Sequence, residues 1–376
     1  MYNKEKARLE GTMVNSMKKI LTVILTLIFL LSGCGETGET AAVVGKTKIT
    51  VPEVRFYLDS VKKQMEGTEL SSDEDWETKE IEGTKAIVLA RERSIQTAID
   101  NVAYVEVGKK IFGKLSDSEK EQSKKMKGQF QAQFSGADGY KNFLADSGLN
   151  ESFINMLCDS AVYSSKLLEK VTNEDVTEDT CKSYFEENKD SLEETYLRAK
   201  HVLILTKDMN TRQDLPAEEQ AAAKAKAEEI LKQAQSGADF DALVSEYSED
   251  PGSKTNPDGY VFKEGDMVQE FWDCTNSLGI DEIGFVKSEF GYHIIKRLAL
   301  TPEVMTTQLT DLAAGEVLAQ KMQDWILEYG ITFEKNSDII LLQSSRFRGG
   351  PKRMFTGQRF LTRTTQAVAS SPGCAP

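Results

Sequence analysis

Apolar residues first recur at a helical spacing just after Thr50. Val54, Tyr57, Leu58, Val61 and Met65 fall on one face, and the stretch TVPE at residues 50–53 is a capping box with Pro52 in the first turn. Amphipathic, charged helical patterning extends from about Ala41 to Glu194, with a second capping box at Ser116 and Glu119. At Thr195 the period changes. RAKHVLILT alternates as a strand, with Ala199, His201, Leu203 and Leu205 on one side and Val202 and Ile204 on the other. Pro216 then opens an Ala/Glu/Lys-rich helix that stops at Gly237, and Asp239 caps a shorter one. The turns DPGS and NPDG follow, then a short strand, a helix near residues 268–277, and IGFVKSEFGYHIIKR, which reads as two short strands about a tight turn. This order predicts a compact α+β unit with a four-stranded sheet. From Thr301 to about Asn336 the pattern is helical again, carried by Leu309, Leu312, Val317, Leu318, Met322, Trp325, Ile326 and Tyr329. Beyond about Ser344 the chain has Gly, Pro, Ser, Thr and Arg without periodicity, the composition of a disordered basic tail.

The N-terminus changes the picture of where such a chain works. Met17, Lys18 and Lys19 precede the apolar run from Ile20 to Leu31, and Ser32, Gly33 and Cys34 close it, which is the layout of a signal peptide. This run of twelve residues, ten of them apolar, is too short to span a bilayer. The LSGC ending resembles a bacterial lipobox, which implies cleavage before Cys34 and lipidation of its thiol, with Met17 as the start codon's residue. Two acyl chains on one diacylglyceryl group suffice for stable anchoring. The net charge of −14 is unevenly spread. Residues 1–33 contribute +3 and residues 346–376 contribute +6, which leaves −23 on residues 34–345. A body this acidic repels nucleic acid, and no nucleic-acid partner is expected. After Cys34 only Cys158, Cys181, Cys274 and Cys374 remain, with no CxxC spacing. That excludes zinc held by cysteines; buried thiols are favoured over a Cys158–Cys181 bridge.

Two histidines, His201 and His293, stand 92 positions apart, both on predicted strands of the α+β unit. The residues around them carry a resemblance. KHVLI, GADFDALVSEYSEDPGS, FKEGDMVQEFWDC and FVKSEFGYHIIKR resemble, in order and spacing, the parvulin family of peptidyl-prolyl cis-trans isomerases. Together with the lipobox and the flanking helical segments, the chain resembles the PrsA-type foldase lipoproteins of Gram-positive bacteria. The resemblance implies a paired-histidine site of His201 and His293 with hydrogen-bonded rings, Ser288 in the same network, Asp250 at the position that is Cys or Asp in the family, and a proline pocket of Phe262, Met267 and Phe271. It implies no cofactor. A metal site from His201, His293 and Asp250 matches no metal-binding spacing. The pattern also departs from the family: where GGDLGWF is usual this chain reads NPDGYVF, so Gly259 stands in place of a leucine-like pocket residue. The connection KDMNTRQDLP lacks a basic cluster, so selectivity for phosphorylated targets is not expected.

The expected organisation is therefore a signal peptide over 1–33, a tether over 34–40, a helical chaperone-like domain over 41–194, a parvulin-like domain over 195–300, a helical segment over 301–343 that packs on the first domain, and a basic tail over 344–376. The expected function is prolyl isomerisation with chaperone activity toward unfolded exported proteins carrying X-Pro bonds, extracytoplasmic and held to the membrane by lipid at Cys34. A homodimer is compatible with the resemblance. Two rival readings are a non-catalytic holdase with a degenerate parvulin unit, to which Gly259 points, and a structural or solute-binding lipoprotein.

Overall fold

The computed structural model describes residues 39–336 apart from 66–69, 71, 82 and 137. Cys34, the signal segment and the basic tail lie outside the described residues. The chain divides into two compact units, one holding residues 39–176 and 311–336 and the other residues 177–310.

The first unit opens with a hairpin, β1 (Thr40–Val44) and β2 (Thr47–Thr50), turning at Gly45. This corrects the helical reading from Ala41: TAAVVGKTKIT is rich in β-branched residues, and its strands find partners on both sides of β1. Helix α1 (Val51–Met65) follows, its Glu53 Oε2 accepting from Thr50 N–H at 2.7 Å, then α2 (Asp73–Thr78) and the two-residue strands β3 (Glu80–Ile81) and β4 (Thr84–Lys85). The long helix α3 (Ala86–Phe112) leads to α4 (Asp117–Gln131), α5 (Gly139–Ser147) and α6 (Glu151–Glu174). The capping box at Ser116 and Glu119 is formed in full at the start of α4. Helices α3 and α6 come so close that a Cβ on Gly108 would lie 2.3 Å from the Tyr163 ring. Two hydrogen bonds tie the helices together, Ser160 Oγ donating to Asn101 Oδ1 at 2.9 Å and Tyr163 Oη to the Gly113 carbonyl at 2.9 Å.

The second unit begins with α7 (Glu178–Thr195), so the boundary read at residue 194 falls inside it. Strand β5 (Tyr196–Leu205) is followed by α8 (Ala217–Gln235), α9 (Phe240–Tyr247), a 3-10 turn (Pro251–Lys254), β6 (Tyr260–Lys263), α10 (Gln269–Ser277), β7 (Ile283–Lys287) and β8 (Gly291–Leu298). The sheet is antiparallel in the order β6-β5-β8-β7. Its period of two assigns the faces. Val202 and Ile204 of β5 join Tyr292 and Ile294 of β8 under α8 and α9, against Ala227, Ile230, Phe240 and Leu243. Leu197 and Ala199 join Tyr260, Phe262 and Ile295 on the opposite face, against Phe271 and Trp272 of α10.

The last elements return to the first unit. Helix α11 (Thr306–Glu328) starts in the second unit and contributes Leu318, Met322 and Trp325 to the core that also holds Phe56, Ile95 and Phe153. Strand β9 (Phe333–Lys335) pairs with β1, Val44 opposite Phe333. The helix expected through Asn336 therefore stops early, at Glu328, and TFEK beyond the turn at Gly330 runs extended, as Thr and Phe favour. At the two ends of the second unit, Cys181 Sγ and Thr310 Oγ1 are 3.9 Å apart. Cys158, Cys181 and Cys274 are free thiols. No helix among the described residues is long and apolar enough to cross a membrane.

Candidate active site

The two histidines share a face because each belongs to the odd-numbered set of its own strand. In the β5–β8 ladder Leu203 lies opposite His293 and His201 opposite Ile295, which makes the imidazoles diagonal neighbours on the α10 side of the sheet. Both are 2% exposed. Their ring centroids are 5.3 Å apart, edge to face at 66°, and Phe271 of α10 sits edge-on to each at 5.1 and 5.5 Å. The hydrogen bond between the rings that the resemblance implies is not formed. Each ring turns its Nε2 to another partner, and both Nδ1 atoms are buried without a hydrogen-bond partner among the described residues.

Asp250 reaches His201 because the chain after α9 runs extended beside β5. Glu249 N–H donates to the Leu203 carbonyl at 2.9 Å, and Leu203 N–H donates to Ser248 Oγ at 3.2 Å. These bonds cover the stretch of β5 that β6 is too short to pair. Asp250 then caps the 3-10 turn, its Oδ1 accepting from Gly252 N–H at 3.0 Å. Its Oδ2 lies 3.0 Å from His201 Nε2 and accepts from the Tyr260 hydroxyl at 2.5 Å. An ionised carboxylate only accepts, so His201 carries a proton on Nε2. Burial works to raise the Asp250 carboxyl, but the bonds from His201 and Tyr260, the electrostatic pull of His201 and the Gly252 N–H outweigh it and hold the group at about 2.

His293 is set the other way. Its Nε2 is 2.7 Å from Ser288 Oγ, which also accepts from Phe290 N–H at 3.1 Å. Burial and, after it, the nearby His201 push the ring down to about 3, with Asp250 opposing them. His293 is thus a neutral imidazole at physiological pH.

Phe262, Met267 and Phe271 come together in the apolar cluster below this network, with the Phe262 and Phe271 centroids 5.5 Å apart. Both phenylalanines are almost wholly buried, and Met267 is the half-buried member that offers surface. Gly259 has a reason of its own. Its φ is +89°, and a Cβ there would lie 2.7 Å from the Ala199 carbonyl oxygen. Arg198 fixes the preceding turn, its guanidinium donating to the Asp258 carbonyl at 2.7 and 3.0 Å. The glycine lets β6 close onto β5, so backbone geometry alone accounts for the absent leucine. Tyr260 was not among the residues singled out from sequence. Its signal was available: it stands two positions before Phe262 on a strand and so shares that residue's face. Among the described residues no group of three or more His, Cys, Asp or Glu could hold a metal ion.

Residues 184–299 match the family model of the PPIC-type PPIASE domain. The chain is 29% identical over 296 residues to foldase protein PrsA of Caldanaerobacter subterraneus subsp. tengcongensis, covering 76% of this chain and 84% of that one. It is 27% identical over 358 residues to foldase protein PrsA of Clostridium tetani, covering 86% and 98%. The crystal structure of PrsA from Bacillus subtilis is 23% identical and covers 65% of this chain and 84% of its own, with a TM-score of 0.26. Residues 184–299 are therefore a parvulin-type peptidyl-prolyl cis-trans isomerase domain, in a chain that resembles the PrsA foldases along most of its length.

Proposed function

We propose that this chain is a peptidyl-prolyl isomerase and chaperone that assists the folding of exported proteins on the outer face of a bacterial membrane. The observation that carries the reading is the buried cluster of His201, Asp250, His293 and Ser288 within a parvulin-type domain. Rotation about an X-Pro bond breaks no covalent bond. It crosses a barrier of about 18 to 20 kcal/mol, and about 4 kcal/mol of selective stabilisation would speed it about a thousandfold. An ionised Asp250 beside the twisting amide, in surroundings from which water is excluded, supplies fixed electrostatics of that order. The neutral His293 and the protonated Nε2 of His201 hold the polar floor in place, and the apolar surface of Met267 with Phe262 and Phe271 behind it receives the pyrrolidine ring. The helical first unit binds the unfolded client, and lipid on Cys34 keeps the protein at the membrane.

The test is cis-to-trans relaxation of short X-Pro peptides with the purified chain. Acceleration by the parent and a loss of more than about tenfold in Asp250→Ala, with Trp272 fluorescence unchanged, is the expected result. A parent that matches the uncatalysed rate across a panel of X residues, yet suppresses aggregation of a denatured protein, would mean a holdase. Labelled palmitate incorporated by the parent but not by Cys34→Ser tests the anchor.

A further inference from the structure

The Asp250 carboxylate is tied at both oxygens, and one tie comes from a residue that the parvulin pattern does not supply. Aligned with GGDLGWF, the stretch NPDGYVF places Tyr260 where the pattern has glycine. Tyr260 pairs with Ala199 across β5 and β6, two residues before His201 on the same face. Its ring centroid is 5.7 Å from that of His201, and its hydroxyl donates to the same Oδ2 that faces His201 Nε2. Gly259 makes this possible, since only a residue without Cβ passes the Ala199 carbonyl at that point.

We propose that Tyr260 is a positioning residue of the isomerase site: its hydroxyl locks the Asp250 carboxylate in the orientation that meets His201. The proposal rests on the isomerase reading. With the hydroxyl removed, Oδ2 keeps one donor in a site where the aspartate is 3% exposed, and burial then acts on the carboxylate with less opposition. The groups that face Asp250 are His201 on β5, Tyr260 on β6 and His293 on β8. Lys200, Asp241 and Lys254 line the adjoining cavity of about 310 Å³, which also touches His201 and Tyr260.

Tyr260→Phe keeps the ring and deletes the donor. In the full chain with ¹³C-labelled aspartate, the Asp250 carboxyl midpoint should rise by about one to two pH units, the size of one hydrogen bond to a charged group. The acid limb of kcat/KM for X-Pro isomerisation should rise with it. In an Asp250→Asn background the same substitution should change kcat/KM by less than about twofold. Fluorotyrosine at 260, a stronger donor of nearly the same shape, should move the midpoint down and serves if Tyr260→Phe misfolds. An unmoved midpoint in either variant overturns the proposal, as does an equal loss of activity with Asp250 intact and in the Asp250→Asn background. A parent with no isomerase activity overturns the functional reading, and the carboxyl midpoint then still decides whether Tyr260 holds Asp250.

Discussion

His293→Gln should flatten the acid sensitivity of the isomerase domain. The folded ring titrates at about 3, whereas a free imidazole titrates near 6.5. A depressed value means that the unfolded chain takes up the proton first. Stability from this group is complete above the unfolded value and falls as pH drops from 6.5 toward 3. Between pH 7 and pH 5 that linkage costs about 2 kcal/mol, a large share of the roughly 5 to 15 kcal/mol that holds a domain together. Gln keeps an amide within reach of Ser288 Oγ and does not titrate. The assay is urea unfolding at both pH values, followed by Trp272 fluorescence with Trp76→Phe and Trp325→Phe in both chains so that only the isomerase unit reports. Titrations common to parent and variant drop out of the difference, and Asp250, held at about 2, stays ionised throughout. The parent should lose about 2 kcal/mol more than His293→Gln. Equal losses would show that the ring takes its proton while folded, and the account of a neutral, desolvated His293 would be wrong.

Three further predictions follow from packing. Gly259→Ala places a Cβ 2.7 Å from the Ala199 carbonyl at a φ of +89° and should cost the isomerase unit at least about 1 to 2 kcal/mol, read as a lower urea midpoint. Gly108→Ala lies mid-helix, where propensity alone would stabilise by about 1 kcal/mol; the contact with Tyr163 should reverse that sign and cost about 1 to 3 kcal/mol, measured by thermal melting of the first unit. Ending the chain after residue 300 removes β9 from β1 and takes Leu318, Met322 and Trp325 from the core, so limited proteolysis should cut the first unit rapidly while the isomerase unit resists.

What could be read from sequence follows the range of the interactions. The sequence places both His201 and His293 on strands, and the alternation of RAKHVLILT also gives the face of His201, because period two is local. The diagonal register that sets their rings 5.3 Å apart depends on the β5–β8 ladder, and no local pattern encodes it. Residues from Ala41 read as helix for the same reason: the partner of this hairpin, β9, lies far along the chain at Phe333–Lys335, in a strand too short to announce itself. Tyr260 was legible as a residue facing Phe262, but its bond to Asp250 needs the extended run Ser248–Asp250 beside β5, which backbone bonds to Leu203 hold in place.

The near approach of Cys181 and Thr310 bears on the order in which the chain assembles. A polypeptide made from its N-terminus presents the hairpin and α1 through α6 long before α11 and β9 exist to complete them. Residues 177–310 are contiguous and can fold without waiting. Once they have, their ends stand side by side, and what was a flexible connection of more than a hundred residues acts as a tie only a few residues long. By the loop-closure relation, shortening the connection between residue 176 and β9 from about 157 residues to about 28 removes about 1.5 kcal/mol of entropic cost from joining β9 to β1. The catalytic insert is thus also the clasp that lets the interrupted scaffold around it close late.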